Sequence, residues 1–292
     1  MTKPTLLLQD DWQSKLRRFS LASRSKIRGQ HKGSHRSQRF GTSMDFSDFR
    51  EYHPGDDVRQ VDWNVFARTD KYFIKRFLDE QEMRVHLLLD ASKSMAHPEK
   101  WRFACQLSLA FGLTVLQNDD RFSFSIVAEE QTPPFRKKGA IYRQALTQHI
   151  STLPAPALKD SFAKYALQAL PKGQTMLIII TDGLEQMSEW EMVISKLPRF
   201  AKDIRIISIA TEQEKNPGYS GDMELQDMET DTKINVSMSS HILEKYMEKR
   251  YRHEKAFELL CAKYGIATMQ LTVEEGFQDA FFHKLRKANW IQ

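Results

Sequence analysis

A chain of 292 residues, 41% hydrophobic and 28% charged, can bury an α/β core of roughly 200 residues plus a smaller second unit. This excludes a wholly disordered protein. No apolar run reaches the roughly 18 residues that span a bilayer, and Leu6 to Leu8 is too short for the core of a secretory signal, so a cytoplasmic protein is expected. The net charge of +5 is uneven: residues 12–44 hold nine Lys or Arg and no acid, which leaves the remainder at +5 minus 9, or −4.

Asp10 and Asp11 precede Trp12, Leu16 and Phe19 at helical spacing, so a short amphipathic helix capped by these acids opens the chain. Residues 20–43 are rich in Ser, Gly, His and Arg without an apolar period and read as a flexible basic arm. Residues 1–44 form this first segment. A small β unit is expected over 45–83, where Val61, Trp63 and Val65 alternate, as do Tyr72, Ile74, Arg76 and Leu78. Ahead of both runs, Pro54 and Gly55 supply a tight turn at which the chain reverses.

From 84 to 292 strands and helices alternate. Strands are expected at 85–89, 122–127, 175–180, 204–209 and 266–271, with 132–137 confined to an edge because Pro133 and Pro134 lack ladder donors. Helices are expected from Pro98, with Phe103, Leu107, Ala110, Phe111 and Thr114 on the buried face, and over 141–150, 162–170 and 240–264. Ser188 and Glu191 read as a capping box for a helix that Pro198 ends. A polar hairpin insertion falls near 213–239. The alternation predicts an α/β fold with a doubly wound, mostly parallel, Rossmann-type sheet. Cys105 and Cys261 read as buried thiols without a disulfide or metal role.

Asp90, Ser92 and Ser94 follow the first strand, and Thr181, Asp182 and Gly183 follow another strongly apolar one. Both acids therefore stand at carboxyl ends of strands, where an open sheet binds ligands. Two carboxylates and two hydroxyls form a hard-oxygen set suited to Mg2+ or Mn2+ rather than zinc. The competing reading is that the acids cap turns and the serines satisfy backbone donors. The DxSxS and TDG segments resemble the metal-ion-dependent adhesion site of von Willebrand factor A domains. That resemblance implies that Ser92 and Ser94 bind the ion through their hydroxyls, and that Asp90 and Asp182 act directly or through waters. The third segment of that family usually carries a threonine. Here it reads Leu158, Lys159, Asp160, Ser161, which leaves Asp160 or Ser161 as weaker candidates.

A second resemblance spans most of the chain. FREYHPGDDVRQVDW from Phe49 to Trp63, with Ala67, Arg68 and the DASKSM segment, is similar to the bacterial domain-of-unknown-function 58 family. Asp45 and Phe46 stand where many members have Glu-Phe. The resemblance implies a small β unit joined to a von Willebrand factor A-like domain. It also implies a MoxR-type AAA+ ATPase, or a client protein presenting an acidic residue, as partner. Within the signature, Arg50, Tyr52, Asp56, Asp57, Arg59, Asp62 and Trp63 read either as a partner-binding or enzymatic acid cluster or as an ion-pair network bracing the β unit against the main sheet.

The expected function is a non-enzymatic, metal-dependent protein-interaction module, an adaptor or assembly factor. There is no GxxxxGK[ST] loop. A metal-dependent hydrolase or phosphatase using Asp90 and Asp182 is the second reading, although an aspartyl-phosphate enzyme would want an acid where Ser92 stands. The third is binding of nucleic acid or another acidic surface by the basic arm. Against it, only Phe19 and Phe40 interleave the cations, so base stacking has little to work with.

Overall fold

A computed structural model describes residues 7–23, 36–40, 46–80, 82–130, 132–218, 221–226 and 233–292. It divides the chain into two units, Ser25–Met83 and the remainder, Met1–Arg24 with Arg84–Gln292. Helix α1 (Asp10–Leu16) opens the larger unit; its N-cap is Gln9, without a side-chain cap, so Asp10 and Asp11 lie inside the first turn rather than capping it.

In the smaller unit, β1 (Arg36–Phe40), β2 (Phe46–Glu51), α2 (Trp63–Thr69) and β3 (Phe73–Glu80) build an antiparallel sheet of order β1-β3-β2. Two expectations change here. Residues 36–40, read as part of a flexible arm, pair with β3, while 24–35 and 41–45 lie outside the described residues. Val61, Trp63 and Val65 do not form a strand. Val61 makes an isolated bridge to Ile74, and Asp62 Oδ1 then accepts the N–H groups of Asn64 (2.8 Å) and Val65 (3.3 Å), which starts α2. A side chain that caps two orphan donors overrides a short alternation. Asp70, at φ 58°, ends the helix in the left-handed region.

The larger unit continues with β4 (Arg84–Asp90), α3 (Pro98–Gln117), β5 (Arg121–Val127), β6 (Phe135–Lys138), α4 (Arg143–Ser151), α5 (Phe162–Ala166), β7 (Gln174–Thr181) and α6 (Met187–Ile194). It closes with β8 (Ala201–Ala210), α7 (Glu212–Lys215), the hairpin β9 (Gly221–Gln226) and β10 (Lys233–Met238), α8 (Ser240–Lys263) and β11 (Ala267–Thr272). The sheet order is β11-β8-β7-β4-β5-β6, parallel except for the edge strand β6. This is the doubly wound, mostly parallel sheet expected from the alternation. The central strands β4 and β7 are continuous apolar runs, buried over Val85–Asp90 and Met176–Thr181, as sheets covered on both faces require.

Helix α3 is buried on all sides from Phe103 to Leu116. Gly112 permits this packing: a Cβ there would stand 2.4 Å from Leu146 and 2.6 Å from Phe122. The expected capping box of α6 is absent, because Gln186 is the N-cap and Ser188 and Glu191 lie within the helix. Cys105 and Cys261 are buried free thiols. Among the described residues no helix is long and apolar enough to cross a membrane.

Candidate functional site

From β4 the chain proceeds outward to β5 and β6, and from β7 outward to β8 and β11. The winding therefore reverses between β4 and β7, and the crevice beyond their carboxyl ends is the place where such a sheet binds ligands. Asp90 closes β4, and Asp182 follows β7.

Asp90 is held on both oxygens. Oδ1 accepts the Ser92 N–H at 2.8 Å, and Oδ2 accepts the Thr181 hydroxyl at 2.7 Å. The same hydroxyl oxygen receives the Gly183 N–H at 3.1 Å. The two strand ends are thus tied through Thr181. The loop after β4 is fixed from the other side, where Lys93 N–H donates to Leu158 at 2.9 Å and Ala91 C=O accepts from Leu158 at 3.2 Å. This leaves the Ser92 and Ser94 hydroxyls side by side, 3.0 Å apart.

Asp182 is differently placed. Its Oδ1 accepts the Leu184 N–H at 3.2 Å, but its buried Oδ2 has no hydrogen bond. The nearest cation is Lys100 Nζ, 3.5 Å away, on a side chain with no solvent exposure. Lys100 donates to Ser94 C=O at 3.1 Å and to Glu214 Oε1 at 2.6 Å. Glu214 is itself fixed by a capping box with Thr211 at the start of α7.

Burial pushes the Asp90 carboxyl up to about 7, and the neighbouring Asp182 charge adds to the effect. Glu185 is likewise pushed up to about 7 by burial, with Asp90 as a repelling charge. Its Oε1 accepts the Phe162 N–H at 2.6 Å. Ser161 donates to Glu189 at 2.9 Å. The weaker candidates therefore separate: Ser161 joins the acids after β7, whereas Asp160 accepts from its own N-terminal turn, pairing with Lys164 and with the Tyr165 hydroxyl at 3.0 Å.

Among the described residues no three His, Cys, Asp or Glu side chains gather as a metal-ligating cluster. An ion here would have to lean on the hydroxyls of Ser92 and Ser94 with Asp182, whose Oδ2 lacks a hydrogen bond, and with Asp90 behind them. That donor set fits a hard divalent cation. Sequence reasoning missed Lys100, Glu185, Glu189 and Glu214. Lys100 left a signal, since it stands three residues before Phe103 and seven before Leu107 on the predicted buried face. Glu185 follows no spacing rule, whereas Glu214 stands three residues after Thr211, the spacing of a capping box.

The signature residues of the smaller unit make local contacts with one another. Arg50 pairs with Asp56 at 2.8 Å, and Asp56 also accepts the His53 N–H at 2.8 Å, closing the turn at Pro54 and Gly55. The Arg50 hydrogen bond, aided by that N–H, holds the Asp56 carboxyl below its ordinary range. Asp57 accepts the Arg59 N–H at 3.0 Å. Tyr72 stacks on Phe66 at 4.5 Å and meets Tyr52 and Trp63 edge-on at 6.3 and 6.4 Å.

The family model described as "Protein of unknown function DUF58" matches residues 48–256. The uncharacterized proteins Rv1480 of Mycobacterium tuberculosis and Mb1516 of Mycobacterium bovis are each 26% identical over 224 residues, covering 74% of this chain and 70% of theirs. Among solved structures, BatB from Bacteroides thetaiotaomicron aligns at a TM-score of 0.36 and 12% identity, over 70% of this chain and 98% of its own. The SpRpn10 VWA domain aligns at 0.38 and 11%, over 68% and 93%. The sheet order and its antiparallel edge strand are those of a doubly wound, mostly parallel α/β fold with the paired acids at its switch point. With the family model covering well over half of its length and reaching into both of its units, the chain belongs to the DUF58 family.

Proposed function

We propose that the larger unit is a metal-dependent protein-interaction module, in which Ser92, Ser94, Asp90 and Asp182 hold Mg2+ or Mn2+ and a partner presents a carboxylate to the site. The bound ion supplies an open coordination position that favours a carboxylate oxygen. The observation that carries the reading is Asp182 Oδ2, buried without a hydrogen bond at the same end of the sheet as the paired Ser92 and Ser94 hydroxyls. A buried acceptor without a hydrogen bond costs about 1–3 kcal/mol, and a bound cation would offset whatever part of that cost the Lys100 ammonium, 3.5 Å away, leaves. The chain's own residues prepare the place: Thr181 and the Ser92 N–H lock Asp90, and Leu158 pins the loop that carries the serines. The family resemblance adds the partner class, a MoxR-type AAA+ ATPase or its client.

The test is calorimetric titration of Mn2+ and Mg2+ into the wild type, Asp182→Ala, Ser92→Ala with Ser94→Ala, and Asp160→Ala. Uptake should be lost in the first two variants, with the circular dichroism spectrum unchanged, and kept in the third. Equal uptake by all four proteins sinks the assignment. Co-purification of ATPases and clients with and without chelator then tests the partner, which the serine variant should fail to retain.

A further inference from the structure

The site after β4 and β7 contains a cation whose placement is costly. Lys100 lies in the first turn of α3, behind Pro98, and its side chain has no solvent exposure. An ammonium there meets the positive end of the helix macrodipole and has lost its hydration, so it persists only beside carboxylates. Two are within reach, and they are served unequally.

Lys100 Nζ lies 2.6 Å from Glu214 Oε1 and 3.5 Å from Asp182 Oδ2. Charge-assisted hydrogen bonds run to about 2.9 Å, so the first contact is such a bond and the second is not. An ammonium has three donors, of which Glu214 and the Ser94 C=O, at 3.1 Å, take two. A movement of about 1 Å at the end of its flexible four-carbon stem would bring the remaining donor onto Asp182 Oδ2.

Glu214 opposes that movement. Its Oε2 accepts the Thr211 N–H at 2.8 Å while its own N–H donates to Thr211 Oγ1 at 3.2 Å, so the carboxylate is fixed at both oxygens. Its carbonyl accepts the Tyr246 hydroxyl at 2.8 Å and Arg250 Nη1 at 2.9 Å, both from α8. Arg250 in turn donates to Glu254 at 2.9 Å, and Gln270 of β11 donates to the same carboxylate at 2.8 Å. The position of this one acid is therefore set by α7, α8 and β11 together.

We propose that Lys100 is an internal competitor for the cation at Asp182, and that Glu214 is a positioning residue that holds it off and so sets the metal affinity of the site. The inference rests on the metal reading above. Lys100 turned onto Asp182 neutralises a ligand charge and occupies the oxygen that the ion needs, and affinity for a hard cation follows ligand charge. Only the fraction of molecules with Lys100 on Glu214 is competent, and the apparent affinity falls by that fraction. Movement of α8 would then change metal affinity without touching a ligand.

The experiment is calorimetric titration of Mn2+ into the full chain as wild type, Glu214→Gln, Lys100→Met, the two combined, and Arg250→Gln, with a circular dichroism spectrum for each. Glu214→Gln should weaken uptake by about tenfold or more, because an amide oxygen holds an ammonium less strongly than a carboxylate does. In the Lys100→Met background the same substitution should change uptake by no more than about twofold. Loss of a negative charge acting through space would instead weaken uptake equally in both backgrounds, and that additivity overturns the proposal. Arg250→Gln leaves Lys100 in place and carries the test if Lys100→Met folds poorly. Removing a cation tightens uptake through space, whereas freeing Glu214 should weaken it, so tighter or unchanged uptake also overturns the proposal. Absence of uptake by both the wild type and Lys100→Met overturns the metal reading itself. Uptake that ignores Glu214 leaves that reading standing and removes only the role assigned to Lys100 and Glu214.

Discussion

Lys100 and His86 show how burial turns single side chains into determinants of the sheet's two ends. Lys100 carries the one ammonium within salt-bridge range of Asp182 and Glu214 among the described residues, and a charge with no solvent exposure persists only while its partners remain. Lys100→Met should lower the unfolding free energy of the metal-free protein by roughly 3 kcal/mol or more. On the proposed metal reading, removing the cation beside Asp182 should also tighten Mn2+ binding, so saturating Mn2+ should restore part of the loss. Urea unfolding with and without Mn2+ reads both effects, and an unchanged midpoint contradicts the burial argument. His86 behaves in the opposite sense. Burial, helped by the Arg136 charge, pushes its imidazole down to about 3, so the folded state keeps it neutral while the unfolded chain protonates it near 6.5. The unfolded state then binds more protons between those values. Its contribution is fully present above pH 6.5 and is lost as pH falls toward 3, by up to about 1.4 kcal/mol per pH unit. His86→Asn should flatten the acid side of the stability profile across this window. A profile as steep as the wild type's would assign the slope to other groups.

At the scale of elements, the sequence was most legible where one physical requirement acted alone. The buried strands β4 and β7 announce themselves as apolar runs, and the two prolines before β6 place that strand at the edge, where it lies. The positions of Asp90, Ser92, Ser94 and Asp182 followed from those strand ends. Errors arose where two local preferences competed. Val61, Trp63 and Val65 alternate as a strand would, yet the cap from Asp62 turns the last two into a helix. Ser188 and Glu191 match a capping box in spacing, but the helix starts earlier, at Met187, behind Gln186. Glu185 and Glu189 were invisible because their roles depend on which loops the sheet order brings together, and no spacing along the chain encodes that; Thr211 and Glu214 do match the spacing of a capping box, but that spacing does not reveal the contact with Lys100. Lys100 was legible in principle, since a lysine in phase with an apolar helix face must find buried partners.

At the scale of the larger unit, the segment read as the start of a flexible arm closes onto the carboxyl terminus. Ser20 exchanges two backbone hydrogen bonds with Gln292, each 2.9 Å, and Ala22 donates to Trp290 at 3.0 Å, so Leu21 and Ile291 form a bridge. Arg205, buried with Asp203 at 2.8 Å, donates to Ala22 C=O and to Trp290 C=O. It thereby ties β8 to both ends of the chain. Leu8, Leu16 and Leu21 are all buried, and Trp12 stacks on Phe277 at 4.9 Å. Two chain ends fastened in this way unfold with the sheet rather than before it. Leu21→Ala should therefore destabilise the whole unit by about 2–5 kcal/mol, the range for a buried leucine, and trypsin should cut at Arg17 and Arg18 only as the sheet unfolds. A change within about 0.5 kcal/mol, the range of surface substitutions, together with rapid cleavage at those arginines, would show that the segment detaches on its own.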